Sequence, residues 1–176
     1  VHAFEALAGV TIDPSVRALR RLLYCGEWIE SHALHVYLLH APDFAGVASA
    51  VELAGIDRPA VERGLSIKKT GNRLVSILGG RPIHPVSVRV GGFSRTPRPA
   101  ELQELRPELD DALRGALETV DWVATFTAPD FERDPLLVSM RHPTEYPFNE
   151  GRIVSSDGLD IALNEWDTAF REQPVP

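Results

Sequence analysis

The sequence is poor in cysteine, in aromatic residues and in long apolar runs, and it carries no excess of basic charge. One cysteine, Cys25, in 176 residues can form neither an internal disulfide nor a thiolate-only metal site. The paucity of cysteine is read as cytoplasmic residence. No stretch approaches the ~20 apolar residues that a membrane helix requires, so no membrane span is expected. The first residues lack a basic region followed by an apolar run, and no signal peptide is read there. A net charge of -7 excludes a phosphate-backbone partner, because nucleic-acid binders present basic patches. What is present is an ordinary soluble composition, 44% hydrophobic and 24% charged, sufficient for one packed core.

The ends are unusual. Val1 to Gly9 reads as the last turns of a helix closing at glycine, and Gln173-Pro174-Val175-Pro176 brings no closing element. An internal piece of a larger protein is the expectation.

Asp13 followed by Pro14 is a helix start, and Val16, Leu19, Leu22, Leu23, Gly26, Ile29, Ala33, Val36 and Tyr37 recur at helical spacing. This predicts one long helix over residues 14–40, ended by Ala41-Pro42. A short helix over residues 46–55 should stop at Gly55. Asp57 and Pro59 open another with an apolar face at Val61, Leu65, Leu74, Val75 and Leu78. It should run to Gly79-Gly80, with Gly64 and Gly71 marking a kink or a close helix neighbour. Pro82, Pro85 and the Gly91-Gly92 pair make residues 81–98 an extended segment. From Thr96 a helical stretch resumes. Pro107 should divide it into residues 99–105 and 107–127, the second carrying the stripe Leu109, Leu113, Leu117, Val120 and Ala124.

Beyond Pro129 the apolar period shortens to two. Strands are predicted at Leu136–Met140, Arg152–Ser155 and Leu159–Ala162, with a hairpin turn at Ser156-Asp157-Gly158. Asn164 should cap a last helix reaching about Arg171. The fold class is mainly α (α+β): a helical bundle over residues 1–127, including the extended loop at 81–98, with a small antiparallel sheet over residues 128–176.

Chemistry-bearing residues are few. Trp28, His32, His35 and Leu39 share one helical face. His32 and His35 can serve as hydrogen-bonded structural histidines, as metal ligands or in proton handling; two imidazoles alone are not a metal site. Arg81 and His84 lie in the proline-held segment. A fixed guanidinium there suits a carboxylate or other anion, or the carbonyls of a helix end. Ser31 has no companion but His32 and His35, which leaves a nucleophilic triad without an oxyanion site or an orienting group. Glu27, Glu30 and the acids from Glu101 to Glu118 read as solvated charge.

Four stretches carry a family likeness. Gly26 to Asp43 (GEWIESHALHVYLLHAPD) resembles the segment after the first cysteine motif of [NiFe]-hydrogenase large subunits, and Gly79 to Phe93 (GGRPIHPVSVRVGGF) resembles their second internal signature. VHAFEALAGV is similar to the end of the helix following the N-terminal cysteine pair, and His142 to Gly158 resembles the sheet region of the cytoplasmic, bidirectional branch. The resemblance implies a parent enzyme that reversibly oxidises H2 at a nickel-iron centre with carbonyl and cyanide ligands, held by four cysteines. It implies an iron-sulfur small subunit and diaphorase-type subunits as partners.

Neither cysteine pair is in this sequence, so the chain itself is expected to hold no cofactor, to be inactive, and to expose apolar surface that favours self-association. The resemblance implies that Ser31, His32, His35, Arg81 and His84 fall on positions beside the metal centre, with roles in hydrogen bonding, helix positioning or proton relay. Ser31 stands where some relatives have an acid, which weakens that position as a base. Two alternatives are a complex I quinone-site subunit of the same fold and a non-catalytic helical interaction module.

Overall fold

A computed structural model describes residues 1–174, so the last two positions of the sequence lie outside the description. The first helix, α1 (His2–Ala8), closes at Gly9, whose φ of 64° is the left-handed conformation that glycine adopts without penalty. Helix α2 (Pro14–Leu34) starts as the sequence predicts: Asp13 accepts a hydrogen bond from the Ser15 N–H at 2.8 Å, and Pro14 occupies the first turn.

The helix does not stop at Ala41-Pro42. It widens into a π turn over His35–His40 and continues as α3 (Ala41–Phe44). The Ala41 N–H reaches back five residues to the Val36 carbonyl. That shift in the ladder lets Pro42, which has no N–H, enter the first turn of α3, where no donor is demanded. Ala41 and Pro42 are consequently buried rather than exposed at a helix end.

Helix α4 (Ala50–Ile56) begins later than residue 46, at the Ser49 cap, and Gly55 lies inside it. Its end is set by Asp57, which leaves helical geometry to cap α5 (Arg58–Gly79) through a 3.0 Å bond from the Ala60 N–H. Helix α5 is unbroken. Its glycines answer to a close neighbour rather than a kink. A methyl at Gly64 would collide with the Tyr37 ring, and one at Gly71 would lie 2.6 Å from the backbone nitrogen of Glu30. Gly80, with φ of 86°, ends the helix.

Residues 81–98 are not wholly extended. Strands β1 (Val88–Arg89) and β2 (Gly92–Phe93) pair as an antiparallel ribbon turning at Gly91. The Val86 and Ser87 N–H groups donate to the Gly79 carbonyl at 2.8 and 3.1 Å, tying the segment to the end of α5.

Helix α6 (Pro99–Val123) is one element, opening after Arg98 rather than at Thr96 and running through Pro107. An interior proline costs roughly 3 kcal/mol. Fully buried Leu105 and half-buried Leu109, packed with Leu74 and Leu78 of α5, hold the helix together on both sides of it. The predicted stripe turns mostly outward: Leu113, Leu117 and Val120 are 61, 61 and 67% exposed, and Ala124 is exposed too. Leu65 of α5 is likewise exposed. The core runs along the α2–α5 seam, where small residues allow close approach. Ala33, Tyr37, Ala60 and Ile67 form one buried cluster, and Ala41, Leu53 and Val61 another.

The chain divides into two units at Ala128–Pro129. In the second, β3 (Val138–Arg141), β4 (Arg152–Ser155) and β5 (Asp160–Ala162) form an antiparallel sheet in sequence order. Strand β3 starts two residues later than expected. Asp160 accepts from Arg141 at 2.6 Å and from Arg152 at 2.5 Å, so one carboxylate joins both outer strands to the middle one. Asn164 does not act as a cap. It lies within a 3-10 turn (Leu163–Glu165), where the Glu165 carboxylate accepts from the Ala162 N–H at 2.7 Å. The final helix, α7 (Trp166–Ala169), ends short of Arg171.

Candidate functional site

Trp28 and His32 lie one turn apart on α2 and stack with ring centres 5.5 Å apart. Both face a cavity of about 400 Å³ between α2, α5 and α6. Its walls are almost entirely apolar: Ile29 from α2, Val36 from the π turn, Ile67 from α5, and Leu109, Ala112 and Ala116 from α6.

At one end of this cavity sits Tyr37, 1% exposed within the π turn. Its hydroxyl accepts from Arg63 Nε at 2.9 Å and meets Thr119 Oγ1 at 2.6 Å. Thr119 commits its own proton to the Gly115 carbonyl, so Tyr37 is the donor in that pair. Trp122 stacks on the tyrosine at 5.2 Å, and the Arg63 guanidinium lies 5.9 and 5.8 Å from the two ring centres. A cation against two aromatic faces, with its Nε–H bonded to the phenol, fixes the π turn, α5 and α6 at one point.

The other sequence candidates lie elsewhere. His35 is exposed and stacks on His40 at 4.3 Å. Ser31 is exposed on α2, and Leu39 faces solvent rather than sharing the face of Trp28. Arg81 and His84 are exposed beyond α5, where Arg81 Nε donates to the His84 carbonyl at 2.6 Å. His84 holds a φ of 53°, uncommon for a side chain with a Cβ, and the Arg81 bond closes that bend. Of the five candidates, only His32 lines the cavity.

Sequence reasoning missed the most buried charges. Glu5 and Arg20, 4 and 5% exposed, form a two-pronged pair at 2.8 and 2.7 Å. Arg20 also donates to the Arg89 carbonyl at 2.9 Å, and Glu5 accepts from the Gly91 N–H at 2.7 Å. The pair therefore ties α1, α2 and the β1–β2 ribbon together. The Arg20 hydrogen bonds, seconded by the Gly91 N–H, hold the Glu5 carboxyl down at about 2. A lone acid within the short apolar α1 was the only cue to it.

A nickel-iron centre of the kind the resemblance implies needs a set of soft thiolate donors. This chain does not supply it. Cys25 is a single thiol whose pKa burial pushes up, away from the thiolate a metal takes. Among the described residues, no three His, Cys, Asp or Glu side chains gather as a metal-binding group.

No family model matches the chain. Against curated proteins, it is 37% identical over 174 residues to sulfhydrogenase 1 subunit alpha of Pyrococcus furiosus, a match covering 98% of this chain and 41% of that protein. It is 42% identical over 105 residues to sulfhydrogenase 2 subunit alpha of the same organism, covering 60% of this chain and 26% of that protein. Among solved structures, an NAD+-reducing [NiFe]-hydrogenase in the H2-reduced state superposes with a TM-score of 0.71 at 23% identity, over 86% of this chain and 37% of that one. This is the fold the sequence pattern called for, mainly helical with small antiparallel sheets. The chain thus spans less than half the length of the proteins it matches, and across that span it belongs to the family of hydrogenase alpha subunits.

Proposed function

We propose that this chain is the helical wall beside the metal centre of a hydrogenase large subunit, whose whole catalyses the reversible oxidation of H2 to protons and electrons. The observation that carries this is the extent of the likeness: 98% of the chain aligns at 37% identity with one hydrogenase alpha subunit. The thiolates that hold nickel and iron, with the carbonyl and cyanide on iron, would belong to cysteine motifs outside these residues. By themselves the 176 residues neither bind the metals nor turn over hydrogen, because their one thiol is not a donor set.

In this reading Ser31 and His32 on α2, with His35 at the start of the π turn, hold the helix and its hydrogen bonds beside the centre. Arg81 and His84 hold the loop after α5, which the Arg81–His84 bond already shapes. Proton relay is assigned to the histidines, since an imidazole ring can donate a hydrogen bond through one nitrogen and accept through the other. Electrons would leave through an iron-sulfur small subunit to diaphorase-type subunits in the cytoplasm.

Reading the DNA on either side of this coding stretch tests the proposal. An RxCGxC motif upstream and a DPCxxC motif downstream are expected. A complete reading frame with neither motif overturns it, as does nickel retained at one per chain by these residues alone after chelator treatment.

A further inference from the structure

Nothing in the composition of the π turn calls for a widened ladder. His35 to His40 reads HVYLLH, six residues that a regular helix accommodates. Pro42 forbids the regular ladder from continuing, since its ring would meet the Leu38 carbonyl. A helix that simply stopped before Pro42 would satisfy that demand equally well. Widening instead of stopping requires a side chain inside the turn to be held from across the core.

Tyr37 is that side chain. Its ring, 1% exposed, fills the notch that Gly64 leaves on α5, where a methyl would lie 2.3 Å from the ring's Cγ. The hydroxyl is gripped by Arg63, the residue next to that notch, through the 2.9 Å bond from Nε. Arg63 is itself pinned to α6. Its stem lies against Gly115, where an added methyl would come within 3.3 Å of it, its guanidinium faces Trp122, and Nη1 reaches Glu118 at 3.4 Å. The proton of the Tyr37 hydroxyl goes on to Thr119, also on α6. One arginine of α5 therefore holds the middle of the turn against a third helix.

The consequence falls on the histidines at the two ends of the turn. In a regular helix, residues five apart point about 140° away from each other. The five-residue ladder brings them to one side, and His35 and His40 stack with ring centres 4.3 Å apart. We infer that Arg63 is a positioning residue: acting through the Tyr37 hydroxyl, it holds the widened turn and so sets His35 on His40. What His35 then does beside a metal centre rests on the hydrogenase reading; the arrangement itself does not.

Two NMR signals of the folded chain report the turn. One is the coupling across the hydrogen bond from the Ala41 nitrogen to the Val36 carbonyl carbon, and the other is the nuclear Overhauser effect between the His35 and His40 rings. Arg63→Met keeps an apolar stem and removes the donors. Both signals should fall several-fold. Tyr37→Phe should weaken them as much, and the double variant should lose no more than either. An arginine that merely stabilises the fold would, on removal, lower the urea midpoint and leave both signals intact; that result overturns the assignment, as does a double variant whose losses add. Where Arg63→Met does not fold, Tyr37→Phe, which removes a single oxygen, decides: unchanged signals refute the role of the hydroxyl and of Arg63 with it. Any of these refutations leaves the hydrogenase reading standing, whereas a gene lacking both cysteine motifs removes that reading and leaves Arg63 in its role.

Discussion

Gly71→Ala asks whether the α2–α5 seam is as tight as its geometry demands. On an isolated helix the change would be favourable, since alanine exceeds glycine by about 1 kcal/mol in helix propensity. Here the new methyl would meet the Glu30 nitrogen at 2.6 Å and the Gly26 carbonyl oxygen at 2.8 Å, where ordinary contact begins near 3.4 Å. The two helices must part by about 0.8 Å, and since the obstacle is backbone no rotamer change relieves it. Overpacking of this sort costs roughly 1–3 kcal/mol, and a backbone clash belongs at the upper end, leaving about 2 kcal/mol net destabilisation. With a urea slope of ~2 kcal/mol/M, the midpoint followed by far-UV circular dichroism should fall by about 1 M. Gly55→Ala is the matched control, because nothing lies within 4 Å of a methyl there; it should raise the midpoint slightly. A Gly71→Ala chain as stable as the parent, or more so, would refute the close-approach account of this glycine.

Other perturbations probe different parts of the fold. Glu5 has its carboxyl held at about 2, below the ordinary 4.5, so its pairing contributes stability above pH 4.5 that is lost as pH falls toward 2. Glu5→Gln should therefore lower stability at neutral pH and flatten the acid limb of a melting profile between those values. Tyr37→Phe removes a hydroxyl bonded to Arg63 and Thr119 and should cost about 1–3 kcal/mol by thermal melting. Pro107→Ala restores a donor inside α6 at an exposed position, and a gain of roughly 1–3 kcal/mol in urea unfolding is expected. Cys25, its thiol pushed up by burial, should react more slowly with a disulfide reagent at pH 8 in the folded chain than in urea.

Much of the helical framework was legible because its stops and starts are local chemistry. Asp13-Pro14, Asp57-Pro59, Gly9 and Gly80 act through hydrogen bonds and backbone angles within a few residues of themselves. The strands around Ser156–Gly158 were legible for the same reason. What sequence could not convey is what lies opposite. Leu113 and Leu117 have helical spacing, yet periodicity names a face without saying whether this chain covers it. Pro107 looked like a break because propensity is local, whereas Leu105 and Leu109 hold α6 from across the core. Among the candidate site residues, one histidine reached the cavity. Glu5 and Arg20 escaped notice because fifteen residues and an element boundary separate them, a distance no spacing rule bridges.

The widened turn at His35–His40 acts on the helix like a slipped gear tooth. One residue more than a regular turn is taken up there, and each residue of a regular α-helix is worth about 100° of rotation. Every side chain beyond the slip points to a different compass bearing from the one a straight count assigns. Leu39, nominally in line with Trp28 and His32, is carried out to water, while Ala41 and Pro42 swing into the interior. Deleting any single residue between positions 35 and 40 would reset that bearing for α3 without altering the composition of either helix.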